Sequence, residues 1–263
     1  MKRVVGLVMV LGIVCSPAWA QETLVRFEKG LNGYDGLVDG GIRSEAGRQT
    51  YNYGASSDIS VGWELEDAEF VGFSQWKDIF GSGANQVPLG ATIVSAELGL
   101  TLRAAQGTED RIITAYAMTR EITDMGGGAS NPAAAGEVCW SYLAYDTTMW
   151  GGDTTHGPVQ DADYTTNHAS SLTINVASDN GITVSWDVTD IVNDWYTGAL
   201  PNYGFLLRDG AWADNETRSN FSSAETSNTG DLPFLKITYE PVPEPATMGL
   251  VALGGLALLR RRS

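Results

Sequence analysis

SLTINVASDNGITVSWDVT, residues 171–189, contains the strongest local signals for the fold. Apolar and polar side chains alternate on both sides of Asn180-Gly181, as they do in half-buried β-strands. Asn-Gly favours a two-residue hairpin turn, because such a turn needs positive φ angles. The stretch therefore predicts a β-hairpin whose apolar side chains face a core: Leu172, Ile174 and Val176 on the first strand, and Ile182, Val184, Trp186 and Val188 on the second.

The residues that follow predict one short helix, TDIVNDWYTG, residues 189–198. Thr189 is a suitable N-terminal cap, and Gly198 is a suitable end. Ile191, Val192 and Trp195 are spaced to face the core. No other segment has long helical periodicity.

Strand patterns recur along the rest of the chain, which predicts an all-β fold, either a sandwich or a barrel. The segment between Gly126 and His168 is the exception, because it is rich in Gly, Ala, Asn, Thr and Asp and predicts long loops on one edge. The clearest further strands are TIVSAELGLTLRA (92–104), RIITAYAMT (111–119), YGFLLRDG (203–210) and PFLKITYEP (233–241).

The N-terminal 20 residues have the order of parts found in a secretory signal peptide. Two basic residues precede an apolar run over residues 4–15, and Ala18 and Ala20 have the spacing that a signal peptidase reads. We expect cleavage between Ala20 and Gln21, and a mature protein that leaves the cytoplasm.

The C-terminal residues 241–263 have three ordered parts: Pro243-Glu244-Pro245, an uncharged segment over 246–259, and three arginines over 260–262. The apolar segment is shorter than the roughly 20 residues of an ordinary membrane span. The three parts resemble the PEP-CTERM sorting signal of Gram-negative bacteria. This resemblance implies transient inner-membrane contact, processing by an exosortase-type enzyme, release to the cell surface or beyond, and an association with exopolysaccharide. The alternative is a C-terminal anchor that stays uncut.

The chain is strongly acidic, with a formal net charge of −16. Five of its 16 basic residues lie in the two terminal segments, so the part between them is more acidic still. Such a surface repels nucleic-acid phosphates and anionic lipids, so no nucleic-acid partner is expected. It also argues against direct binding of acidic polysaccharide, unless a divalent cation bridges the two.

Several motifs between Asp39 and Tyr239 come in the order of the DNRLRE-type domain of secreted bacterial proteins, which this region resembles. The R-F-D element of that family is replaced here by Gly72-Phe73-Ser74. The resemblance implies a jelly-roll-like β-sandwich over residues 21–240 and a role like that of a carbohydrate-binding module, in some relatives for uronic-acid polysaccharides. The matching motifs are YNYGASSDISVGW (51–63), PLGATI (88–93), DVTDIVNDWYTG (187–198), NYGF (202–205) and SNFSSAE (219–225).

Loop aromatics are the main ligand-binding candidates, because sugar rings stack on aromatic side chains and exposed aromatics are costly without a purpose. The alternative is that Trp140 and Trp150 plug the edge of the sandwich. The candidates are Trp140, Tyr142, Tyr145, Trp150 and Trp212.

A structural calcium ion is the one cofactor that the sequence leaves open, with Asp187 and either Asp190 or Asp39 as ligands. The alternative for Asp187 is a bond to nearby backbone at the helix entry. His156 and His168 match no zinc spacing.

No convincing active site emerges, although Glu64, Glu66 and Asp67 are weak glycosidase candidates. Cys139, the one cysteine after signal removal, is expected to be a small buried residue.

Three functions follow from these observations. The first is a non-catalytic surface or matrix protein that binds polysaccharide. The second is a glycan-active lyase or hydrolase on the same sandwich, and the third is a purely structural surface protein.

Overall fold

A computed structural model describes residues 21–64, 68–152, 157–210 and 217–241. Within these ranges the chain forms thirteen β-strands and one α-helix. The strands are β1 (Thr23–Glu28), β2 (Leu37–Arg43), β3 (Tyr51–Asn52), β4 (Asp58–Glu64), β5 (Ala68–Trp76), β6 (Thr92–Ala105), β7 (Arg111–Met118), β8 (Asn131–Pro132), β9 (Tyr164–Ile174), β10 (Thr183–Asp187), β11 (Phe205–Asp209), β12 (Ser219–Ser222) and β13 (Phe234–Glu240), and the helix is α1 (Thr189–Thr197).

Eleven strands form one curled antiparallel sheet, in the order β1-β13-β6-β12-β4-β5-β11-β7-β9, with β10 added to β6 and β2 added to β5. The curl brings two halves face to face around a core. Trp186 on β10 is fully buried, and its indole Nε1 donates to the carbonyl of Ile113 on β7, 2.8 Å away, which links the two halves. The predicted all-β, sandwich-like fold is confirmed.

The long connection between β7 and β9 covers an outer face of the sheet. Every residue of β5 is buried, because one face points to the central core and the other packs under this connection. A second apolar cluster fills the space between them and includes Phe73, Met125, Trp140, Trp150 and Leu206. The prediction of long loops is correct, but they lie on a face of the sheet rather than on its edge, and β9 already begins at Tyr164.

The predicted hairpin around Asn180-Gly181 is wrong. β9 pairs with β7, whereas β10 pairs with β6, so the turn joins the two halves of the sheet. The second strand, β10, pairs with β6 because the backbone of β6 also forms hydrogen bonds to the turn. Leu102 accepts from the amide of Gly181 at 2.7 Å and donates to the carbonyl of Ile182 at 2.9 Å.

The predicted helix is confirmed as α1, with Ile191, Val192 and Trp195 buried. The N-cap is Val188 rather than Thr189, which is the first helical residue. The Thr189 hydroxyl instead accepts from the amide of Ala96 on β6 at 2.9 Å.

β6 runs the length of the sandwich and defines its two ends. At one end, here called the base, Thr92 pairs with Glu240 at the end of β13. β1 starts at the base as well, because Thr23 pairs with Tyr239. At the other end, here called the tip, Ala105 pairs with Ser219 on β12.

Candidate functional site

A polar cleft of about 290 Å³ lies at the tip, between β2, β4 and β12. The strands bring together side chains that are far apart in the sequence. Two loops, around residues 48–56 and 129–130, complete its wall. The side chains that give the cleft its chemistry are Arg43, Arg48, Tyr53, Asp58, Phe70 and Arg218.

Arg43, the last residue of β2, is the most deeply placed charge in the cleft. The whole residue is 8% exposed, and its Nη1 lies 2.9 Å from Oε2 of Glu45. Its Nε and Nη2 have no hydrogen-bond partner within the described part of the chain. The guanidinium lies 5.1 Å from the ring centroid of Tyr53 and 5.5 Å from that of Phe70. Unused buried donors are costly, so this cleft is suited to an acceptor from outside the protein.

Arg218 approaches the same Phe70 ring, at 5.2 Å, and forms an ion pair with Glu64. Burial lowers the pKa of the Arg218 guanidinium, and the positive charge of Arg43 lowers it further. A bound anion would offset the repulsion between the two guanidinium groups, because its negative charge attracts both of them.

Arg48 lies on the loop that forms one wall. Its Nη1 donates to the hydroxyl of Ser130 at 3.1 Å, and that hydroxyl donates to the hydroxyl of Tyr53 at 3.4 Å. The Arg48 side chain is 46% exposed, so it can reach a ligand at the mouth of the cleft.

The wall is held in place by Asn52, which is fully buried. Its Nδ2 donates to the carbonyls of Met125 and Val138, and its Oδ1 accepts from the amides of Gly54 and Gly128. A side chain at Gly54 would place its Cβ 2.2 Å from the Met125 carbonyl oxygen, so this position requires glycine. The sequence Asn52-Tyr53-Gly54 thus ties two loops together and directs Tyr53 into the cleft.

The predicted aromatic platform does not form as a set of exposed rings. Trp150 is fully buried: its ring stacks on Phe73 at 5.8 Å, and its Nε1 donates to the Cys139 carbonyl. Trp140 is 7% exposed. Both tryptophans are therefore buried plugs, which was the alternative interpretation of the sequence.

Tyr142 and Tyr145 are half-buried and meet edge to face at 5.4 Å, so their sugar-binding role stays a prediction. Trp212 lies outside the described residues.

Of the predicted calcium ligands, Asp187 and Asp190 line the same open surface hollow, whereas Asp39 lies elsewhere. Asp39 is buried on β2 and accepts from the amide of Ala224, whereas Asp187 accepts from the amide and hydroxyl of Thr189. Asp190 lies beside His168 on β9, with 3.4 Å between Oδ2 and Nδ1. No group of three or more His, Cys, Asp or Glu residues in the described ranges is arranged to hold a metal ion. The alternative reading of Asp187, a bond at the helix entry, is correct.

The remaining predicted residues have structural positions or lie outside the described ranges. Glu64 is engaged by Arg218, and the thiol of Cys139 is buried, which raises its pKa. His168 is a strand residue rather than a loop residue. The residues outside the described ranges are Ala20, Glu66, Asp67, His156 and the sorting residues Pro243, Glu244 and Pro245.

The arginine cleft was not predicted from the sequence. Arg43 and Arg218 are separated by most of the domain, and neither belongs to a recognisable motif. The one available signal was the scarcity of basic residues, which makes Arg43 and Arg48 on either side of a turn-rich segment unusual.

Comparison with protein families identifies the PEP-CTERM protein-sorting motif over residues 241–263. The motif indicates a secreted surface protein that an exosortase processes. No curated protein sequence matches the chain. Among the described residues, no helix has the length and apolar character that a membrane span requires.

Proposed function

We propose that this exosortase-sorted surface protein is a non-catalytic polysaccharide-binding protein, and that its ligand carries negative charge. The observation that carries the proposal is the cleft in which Arg43 and Arg218 share one aromatic ring while two donor nitrogens of Arg43 have no partner in the described structure. Carboxylate groups on a sugar chain match guanidinium donors in charge and geometry.

The acidic surface does not prevent such binding. Surface charges are screened beyond about 8 Å at physiological ionic strength, so a ligand in the cleft interacts mainly with the arginines that line it. The negative charge elsewhere repels an anionic chain over the same short distances, which favours binding at the cleft over binding at other parts of the surface.

The polar and aromatic parts of the cleft also suit a sugar. Tyr53 offers a ring, and Asn220, whose Oδ1 accepts from the Ser60 hydroxyl, offers its amide NH2 group. This combination supports a carbohydrate over a simple inorganic anion. The resemblance of the domain to carbohydrate-binding modules supports the same class of ligand.

The proposal is tested with a panel of soluble polysaccharides, in which polygalacturonate and alginate are compared with neutral dextran. We expect the charged polymers to bind, with affinity that falls as salt is added. A hydrogen bond to a charged group contributes about 1.5–3 kcal/mol, so Arg48→Gln should weaken binding roughly 10- to 150-fold. Arg26→Gln, which makes the same change of charge on β1, is the matched control.

The same reactions are assayed for new reducing ends and for unsaturated ends. Their appearance would show a glycan-active enzyme and contradict the non-catalytic part of the proposal. Equal binding of neutral and charged polymers, or no binding, would contradict the role of the cleft.

A further inference from the structure

The sorting motif follows directly after the last strand, so it is attached to one particular end of the sandwich. The motif begins at residue 241, and β13 ends at Glu240, so no residues lie between the sheet and the motif. β13 is held between β1 and β6, and its last residues pair with Thr92 at the start of β6. The motif therefore leaves the domain from the base.

The N-terminal end of the mature chain leaves from the base as well. Thr23, two residues after the expected cleavage position, pairs with Tyr239 near the end of β13. The first and last strands of the described chain, β1 and β13, thus begin and end at the base.

The arginine cleft is at the opposite end of the molecule. Arg218 immediately precedes Ser219, which pairs with Ala105 at the far end of β6. Arg43, on the opposite wall of the cleft, is also at the tip. It pairs with Phe70 on β5, beside the connection between β4 and β5. At about 3.3 Å per residue, the path along β6 from Thr92 to Ala105 is roughly 43 Å.

We infer that exosortase processing leaves the protein attached to the cell surface through its new C-terminus, next to the base, and that the arginine cleft at the tip faces material that lies away from the cell. The orientation rests on strand register and on the sorting motif, whereas the identity of that material as charged polysaccharide rests on the proposed function. In this arrangement the domain joins the cell surface to a surrounding polymer.

Cysteine labelling of the mature protein on intact cells that express the full-length gene product tests the orientation. Thr108→Cys places a thiol on the exposed turn after β6 at the tip, and Thr92→Cys places one on an exposed residue at the base. Cys139 is fully buried and does not compete for reagent. The measurement is the labelling rate with a polymer-linked maleimide, on cells and after the protein has been detached from them.

We expect attachment to slow labelling of Thr92→Cys several-fold and to leave Thr108→Cys unchanged. Thr23→Cys, an exposed position on β1, repeats the measurement at the base if Thr92→Cys folds poorly. Equal rates at the two ends, or slower labelling at the tip, would overturn the inference. If the labelling is asymmetric but the detached protein binds no charged polysaccharide, the orientation stands and the proposed function fails.

Discussion

Asp39 and Ala224 are joined by a hydrogen bond of 2.7 Å, in which the buried carboxyl oxygen Oδ2 accepts from the backbone amide. The bond ties β2 to the segment that follows β12. β2 and β12 each carry residues that line the arginine cleft. Burial, and to a smaller extent the charge of Glu225, raises the pKa of Asp39 to about 7, although the bond from Ala224 and the charge of Lys29 act in the opposite direction.

This carboxyl should make the protein more stable in mild acid than at neutral pH. A pKa raised in the folded state means that folding favours the protonated form, so the contribution is fully present below the unfolded pKa and is lost as pH rises through about 7. Between pH 4 and pH 7 the loss amounts to at most roughly 4 kcal/mol, at 1.36 kcal/mol per pKa unit. Urea unfolding at a series of pH values measures it.

Asp39→Asn provides the comparison, because an amide oxygen can still accept from Ala224 but does not titrate. We expect the variant to lose most of the decrease in unfolding free energy between pH 4 and pH 7. An unchanged pH profile in Asp39→Asn would show that other groups cause the decrease.

Trp150 should contribute as much to stability as Trp186, because both are fully buried and both donate an indole hydrogen bond to a backbone carbonyl. Replacement of a buried tryptophan by alanine costs about 3–5 kcal/mol. Chemical denaturation of Trp150→Ala and Trp186→Ala should therefore give similar losses in unfolding free energy.

Tyr142→Ala is the contrasting variant, since Tyr142 is half-buried and meets Tyr145 only edge to face. We expect a much smaller loss from it. A Trp150→Ala protein as stable as wild type would mean that the covering layer over β5 contributes little to the fold.

Asn52 should control the order of the cleft wall. In Asn52→Asp the carboxylate can still accept from Gly54 and Gly128 but cannot donate to the carbonyls of Met125 and Val138. Each buried group left without a partner costs about 1–3 kcal/mol. We expect faster hydrogen exchange of the amides over residues 126–130 and weaker binding of charged polysaccharide.

The matched control is Asn167→Asp, which makes the same change on an exposed residue of β9. Its exchange pattern around residues 126–130 should equal that of the wild type. Exchange that stays slow in Asn52→Asp would contradict the role assigned to Asn52.

The elements that were predicted correctly have signals that are local in the sequence. α1 follows from the spacing of Ile191, Val192 and Trp195, and its entry is fixed by Asp187, two residues before Thr189. The prediction of a β9–β10 hairpin failed because strand pairing is decided by competition, and Leu102 on β6 forms backbone hydrogen bonds to Gly181 and Ile182 in the turn itself. A turn dipeptide specifies a change of direction but not the partner of the strand that follows it.

The candidate site was missed for a related reason. Its arginines come from β2, the loop after it and the residue before β12, and only the completed sheet brings them together. Trp140 and Trp150 were chosen because they lie in a loop-rich segment, yet that segment covers a sheet face and buries them. Composition can predict a loop but not whether the loop packs on the domain.

The sorting motif leads to a prediction about the mature protein. An exosortase substrate is expected to be cut near Pro243-Glu244-Pro245, so the form recovered from the cell surface should lack residues 246–263. Because β13 ends at Glu240, before the cut, every strand of the sandwich is retained. Intact-mass measurement of surface material decides the point, and Glu244→Gln, which alters only the motif, should accumulate as the longer form. Surface protein that still carries Arg260, Arg261 and Arg262 would instead identify the segment as an anchor that stays uncut.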